Sequence, residues 1–271
     1  ALLREDQQVI GICFVGEKIH KRYGMSIKTA YVNQSGNQKF DQTWIEYNGL
    51  LCKENYEAIF FQLLFKRLSK CGYDRLFISM ANSPPSFLSK SPKDTSITVG
   101  YVASLETAEA DFMQSILSRN SRSQITRSNK KIKEAYGELK LTEVNNTFQR
   151  KQALSCLGNL HIQRWKNTIH GSGFENKYFK SQLDKLITEA PEFANILELK
   201  AGTTTIGYSL NFIFNKSVYF YCSGINFSIA TKHIKPGYTM HFLMMKHYAR
   251  LGFRYYDFLA GEARYKSSLS D

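Results

Sequence analysis

The sequence predicts an α/β protein with a mixed sheet (α+β in its pairing), and three observations carry that prediction. Segments of twofold apolar alternation interleave along the chain with segments of helical period. From residue 138 onward the order reads strand, two helices, three antiparallel strands, helix, strand. Shifting the chain by 180 residues lays 65–79 on 245–259, with Lys66 on Lys246 and Gly72 on Gly252. The echo predicts two related halves.

Taken in order, strands are expected over 9–15 and 26–32, with a turn at 33–38 after the second. Residues 40–51 read as loop and short strand. Residues 54–71 form an amphipathic helix with Ile59, Phe60, Leu63, Leu64 and Leu68 inward, followed by a strand over 74–80. A proline-rich loop covers 82–92, then come a strand over 97–103 and a helix over 105–117. A helix over 124–136 places Ile125, Ile132, Ala135 and Tyr136 along one side, and Gly137 stops it before a strand over 138–144. Helices over 147–168 and 176–189 precede strands over 195–200, 205–214 and 217–223. The last units are a helix over 238–250, ended by Gly252, and a strand over 253–259.

Composition narrows the class. The 271 residues, 43% hydrophobic, suffice for one large or two ordinary domains. No apolar run is long enough for a membrane-spanning helix, and residues 1–16 lack the order of a signal peptide. The chain starts without Met beside a strand, so a preceding N-terminal segment is expected. Five cysteines, Cys13, Cys52, Cys71, Cys156 and Cys222, show no CxxC spacing, which predicts reduced, buried thiols in a cytoplasmic protein. The histidines do not converge with cysteines or acids at ligand spacing, so no metal is expected. The net charge is +13, and residues 119–151 hold nine basic against three acidic side chains. Such a run is either a solvated helix face or a surface for nucleic acid, a phosphorylated cofactor or an acidic partner.

The segment 233–266 is the first site candidate. Pro236 and Gly237 open a helix whose free amides and positive dipole end can receive a phosphate. The strand after it carries a lone carboxylate, Asp257, in an apolar run, and a polar loop with Glu262, Tyr265 and Lys266 comes next. His161, Arg164 and Trp165 stand three and four apart on one helix, so all three can border one cleft.

Four strings, residues 134–144 (EAYGELKLTEV), 160–165 (LHIQRW), Pro236-Gly237 and 256–266 (YDFLAGEARYK), carry a resemblance. Together with the element order from residue 138, they make the C-terminal half similar to the GNAT acyltransferases. Within these the sequence resembles the CelD-like branch, of cellulose-biosynthesis-type acetyltransferases, and more distantly the Fem-type aminoacyltransferases. The usual GNAT phosphate signature, Gln or Arg followed by spaced glycines, is absent. The resemblance implies tandem GNAT-like domains, a partial one over 1–118 and an acyltransferase domain over 119–271, and an N-acyltransferase that moves an acyl group from acetyl-CoA or a longer acyl-CoA to an amine.

In that reading the donor lies between the strand before the Pro-Gly helix and the strand after it. Tyr221 and Ser223 contact its pantetheine arm, and the pyrophosphate sits on Gly237, Tyr238 and Thr239 with charge from Lys232, His233 or Lys235. Asp257 or Glu262 is the base, Tyr265 the acid for the leaving thiolate, and Lys266 a substrate or oxyanion contact. His161, Arg164 and Trp165 touch the acceptor. Charged tRNA, as in the Fem-type enzymes, or an acyl carrier protein are alternative donors, and a catalytically silent GNAT-fold module that binds nucleic acid or a partner is the alternative of a different class.

Overall fold

The computed structural model describes residues 1–43, 45–81, 94–106, 117–169 and 171–270. The expected loop over 82–92, most of the expected helix over 105–117, and His170 lie outside them. Two compact units divide at residue 97, Ala1–Ile97 and Thr98–Asp271.

The N-terminal unit holds two small sheets. Strands β1 (Leu2–Glu5), β2 (Gln8–Ile12) and β5 (Leu51–Cys52) make one, and β3 (Val15–Arg22), β4 (Met25–Val32) and β6 (Arg75–Phe77) make the other. Two strands were hidden in the sequence: β1, and β3, whose residues 15–22 carry too many charges to alternate cleanly. Helix α1 (Glu57–Lys70) buries Phe60, Phe61, Leu64 and Leu68. Ile59 and Leu63, expected inward, are exposed, because the buried stripe runs one residue further round and takes in Phe61.

The C-terminal unit is a six-stranded sheet in the order β7-β12-β11-β10-β9-β8. Its strands are β7 (Gly100–Ser104), β8 (Leu139–Glu143), β9 (Ala194–Ala201), β10 (Thr204–Phe214), β11 (Ser217–Ile225) and β12 (Tyr255–Ala260). The division expected at residue 118 leaves β7 on the N-terminal side, whereas β7 pairs antiparallel with β12 in this sheet. Helices α2 (Arg119–Tyr136) and α5 (Pro236–Arg250) cover one face over a core that includes Ile125, Ile132, Leu199, Val218, Met240, Tyr248 and Tyr256. Helices α3 (Thr147–Trp165) and α4 (Lys177–Glu189) cover the other, over Leu154, Leu157, Phe179, Leu183, Ile196 and Leu210. A final short helix, α6 (Arg264–Leu269), comes after β12.

Local chemistry sets these boundaries. The Ser118 hydroxyl caps the Ser121 amide, so α2 starts five residues before the expected position. It buries Ser121, Ile125, Ser128 and Ile132, while Ala135 faces solvent. Asn146 and Asn176 cap α3 and α4 in the same way. At Gly224 a Cβ would stand 2.3 Å from the Leu157 carbonyl oxygen, so only glycine lets α3 lie this close to β11.

The 180-residue echo extends to hydrogen bonds. Gly72 and Gly252 have φ of +74° and +79°, a conformation in which glycine is unstrained. The Gly72 amide returns to Ser69 and Tyr73 to Leu68, as Gly252 returns to Ala249 and Phe253 to Tyr248. Each turn then feeds a three-residue parallel ladder, β4 with β6 in one unit and β11 with β12 in the other.

Candidate active site

Strands β11 and β12 pair only through Ser217–Tyr255, Val218–Tyr256 and Tyr219–Asp257. Beyond that rung both change course. On β11 the register with β10 slips so that Tyr221 is passed over between Phe220 and Cys222, a bulge that increases local twist. On β12 the register with β7 jumps between Asp257 and Ala260, and Leu259 takes φ +62°. Asp257, only 4% exposed, accepts the Leu259 amide at 2.7 Å. Lys266 Nζ donates to the Ala260 and Leu259 carbonyls at 2.6 and 3.3 Å. The bend thus has a carboxylate and an ammonium bonded to its backbone.

The entrance of α5 lies after the loop that leaves β11. Pro236 has no amide hydrogen, and the Thr239 amide already closes the first helical turn on Lys235. The Thr239 side chain is fully buried and pairs with the Ser128 hydroxyl at 2.9 Å, and Ser128 also accepts the Lys235 amide. Of the three amides expected to face an anion, helix geometry leaves those of Gly237 and Tyr238. A Cβ at Gly237 would meet nothing within 4 Å. Lys232 and His233 are exposed and Lys235 half-buried. Ser223 is half-buried opposite Ser209 of β10. The Tyr221 ring packs on Phe212 and Phe179, with centroids 4.6 and 6.3 Å away, on the α3–α4 face.

On the α5 face, the mouth of the parting strands is filled by rings around His241. Its ring lies 4.5 Å from Phe220, 5.2 Å from Phe258 and 5.1 Å from Tyr265, stacked nearly parallel on the last. Its Nδ1 is 3.1 Å from the Tyr256 hydroxyl. Burial, reinforced by the Lys266 charge, lowers the His241 pKa to about 3, so the imidazole is neutral. Burial pushes the Tyr265 phenol up to about 12. Glu262 stands exposed in the loop before α6.

The second cluster forms at the end of α3. His161 Nδ1 is 2.8 Å from Ser172 Oγ, and its ring lies between Trp165 and Phe174, at 5.9 and 5.3 Å. Burial lowers its pKa to about 4. Arg164 spreads its guanidinium 4.8 Å over the Phe227 ring. Trp165 and Phe227 are both more than 40% exposed; His161 contacts Trp165, and Arg164 contacts Phe227.

Residues 119–267 match the family model described as the acetyltransferase (GNAT) domain. The chain belongs to this GNAT family. No curated protein sequence matches it. Among solved structures, the fold is similar to FemX, with TM-score 0.59 and 10% identity over 97% of this chain and 79% of that one. A domain assigned as the C-terminal part of a lysylphosphatidylglycerol synthetase from Agrobacterium fabrum gives TM-score 0.55 and 10% identity, over 96% and 71% of the two chains. L-PGS from Bacillus licheniformis gives 0.54 and 9%, over 94% and 70%. At such identities the likeness concerns the fold.

Several features of this GNAT domain escaped the sequence reading. His241 was read only as a histidine without metal-ligand spacing, although it shares the inward stripe of α5 with Met244, Met245 and Tyr248, a spacing that puts it in the core. The basic run of residues 119–151 is less available than its count suggests. Arg150 is 6% exposed and donates to the carbonyls of Val144, Ile187 and Ala194. Lys131 pairs with Glu134, Lys133 with Glu138 and Lys151 with Asp184. The thiols also differ from expectation: Cys13 is buried, but Cys71 and Cys156 are exposed, being on the solvent sides of their helices or helix ends. Among the described residues no His, Cys, Asp or Glu group of metal-binding size occurs, and no helix is long and apolar enough to cross a membrane.

Proposed function

We propose that the C-terminal domain transfers an acyl group from an acyl-CoA thioester to an amine acceptor. The parting of β11 from β12 after a three-residue ladder, with the Gly237 and Tyr238 amides at the next helix start, carries this reading. Strand edges that cease to pair offer backbone groups to the two pantetheine amides, with Tyr221 and Ser223 alongside. The pyrophosphate binds the helix start, with Lys232, His233 and Lys235 adding charge.

The chemistry needs a neutral amine, a stabilised tetrahedral oxyanion and a proton for the thiolate. Asp257 is committed to the Leu259 amide, which favours a role in holding the bend and leaves Glu262 as the base. Tyr265, protonated at neutral pH, supplies the proton, and Lys266 lends its charge to the oxyanion. The acceptor approaches from the α3 face along His161, Arg164 and Trp165. The N-terminal domain is a non-catalytic relative of the same fold. The strings at 134–144, 160–165 and 256–266 favour the CelD-like branch within the family, and the absence of a long apolar helix among the described residues fits a cytoplasmic enzyme.

A second reading is favoured by the FemX likeness along 97% of the chain: charged tRNA as donor, held by the basic helix α2 around Arg119 and Arg127. Titrations at two salt concentrations separate the two. Acetyl-CoA affinity should fall only a few-fold between about 50 and 200 mM salt, whereas tRNA contacting six or more phosphates should lose on the order of a thousandfold. Binding of charged tRNA with that steep dependence, and none of acetyl-CoA, would replace the first reading by the second.

A further inference from the structure

The end of α3 presents hydrogen-bond donors without acceptors. Gly224 brings α3 onto β11 at Leu157, and two helical turns later Arg164 covers Phe227, three residues past Gly224. The cluster therefore continues the α3–β11 seam beyond the strand end, on the face opposite α5. The Arg164 guanidinium carbon lies over the Phe227 ring, 4.8 Å from its centroid. Among the described residues, the Arg164 side chain has no ion pair or hydrogen bond, and the Trp165 indole N–H has no acceptor.

His161 is held beside Trp165 by its neighbours. Glu175 accepts the Ser172 amide at 3.1 Å, and Ser172 Oγ accepts the Phe174 amide at 3.1 Å. Ser172 Oγ also lies 2.8 Å from His161 Nδ1, a contact in which either group can donate. Neither 157–169 nor 224–246 contains an aspartate or glutamate. Among the described residues the Arg164 and Trp165 donors have no acceptor, while Glu175, the carboxylate beside Ser172, is held by the Ser172 amide, so the surface suits an anion better than a polycation.

We propose that Arg164 and Trp165, beside His161, bind an anionic group, a carboxylate or a phosphate, carried by the amine acceptor. The inference rests on the acyl-transfer reading for the word acceptor. The donor's pyrophosphate is assigned to the α5 start on the opposite face of the sheet, so the anion at Arg164 is a different one.

The chain has two tryptophans, so a Trp44→Phe background leaves Trp165 as the sole fluorophore. Its emission is followed during titration with glucosamine 6-phosphate, glucosamine, D-glucuronate, inorganic phosphate and spermidine. Saturable changes are expected with the anionic probes and not with glucosamine or spermidine, and the phosphate and carboxylate arms tell the two anions apart. Arg164→Gln should weaken the response about tenfold or more, one lost charge-assisted contact, and Arg164→Lys should keep most of it. No response to any anion, an undiminished response in Arg164→Gln, or a stronger response to spermidine overturns the proposal. Calorimetry with acetyl-CoA on the same protein separates the readings. Acetyl-CoA binding without an anion response sinks only this inference, and an Arg164-dependent anion response without acetyl-CoA binding supports the anion site and removes the donor reading.

Discussion

Asp257 holds Leu259 in the left-handed region. The carboxylate accepts the Leu259 amide at 2.7 Å while Leu259 sits at φ +62°, a conformation that costs a non-glycine residue about 1 kcal/mol or more. The bond offsets that cost and fixes the bend just past Tyr219–Asp257, the last rung of the ladder with β11.

Substitution separates the two carboxylates. Asp257→Ala, which leaves the buried amide unpaired, should lower stability by about 1–3 kcal/mol and reduce turnover with it. Glu262→Gln should leave the melting temperature unchanged and reduce kcat on the order of a hundredfold or more. Denaturant titration together with steady-state thiol release checks both, and full turnover in Glu262→Gln would remove Glu262 as base.

Gly224→Ala forces a methyl group to within 2.3 Å of the Leu157 carbonyl oxygen. The helix must move away from β11, at about 1–3 kcal/mol, and the Arg164–Phe227 stack should loosen with it. Thermal unfolding measures the first effect. The alanine variant should lose about 5 °C or more, given the usual relation of stability to Tm.

Arg150 is a framework residue rather than part of a binding surface. Arg150→Met leaves three carbonyls without their donor and should cost about 3 kcal/mol. Arg127→Ala, on the exposed side of α2, should change stability by less than about 0.5 kcal/mol. Chemical denaturation of the two variants side by side gives the contrast.

Acid should destabilise the C-terminal unit through His241. Its folded pKa, about 3, lies below the usual histidine value of about 6.5 in the unfolded chain. The unfolded state therefore binds a proton first. The contribution to stability is complete above about pH 6.5 and is lost as pH falls towards 3, by about 1.4 kcal/mol per pH unit. Lys266→Met removes the second cause of the shift and should move the lower limit of that window upward. Unfolding free energies measured between about pH 7 and pH 4 would show it.

Much of this architecture was legible in the sequence because it rests on local signals. The Gly72 and Gly252 turns, the helical periods of α3 and α4, and the alternation of β9–β11 each announce themselves within a few residues. The β11–β12 parting was expected only through the family resemblance. Its cause is a bulge at Tyr221 and a carboxylate bond two residues long at Asp257, neither of which has a composition signature. His241 was missed for the opposite reason: its partners Phe220, Tyr256, Phe258 and Tyr265 come from three other elements, so their convergence exists only in the folded chain. Arg150 likewise reads as surface charge until three carbonyls from separate elements surround it.

The most direct test of the donor site is calorimetric titration of acetyl-CoA into the intact chain and into Gly237→Glu. A Cβ at Gly237 meets nothing within 4 Å, so the variant should fold with an unchanged melting temperature while placing a carboxylate where the pyrophosphate would bind. Saturable binding by the intact chain, lost in Gly237→Glu, is the expected result. Equal binding by the two proteins, or none by the intact chain, would contradict a CoA site at the start of α5.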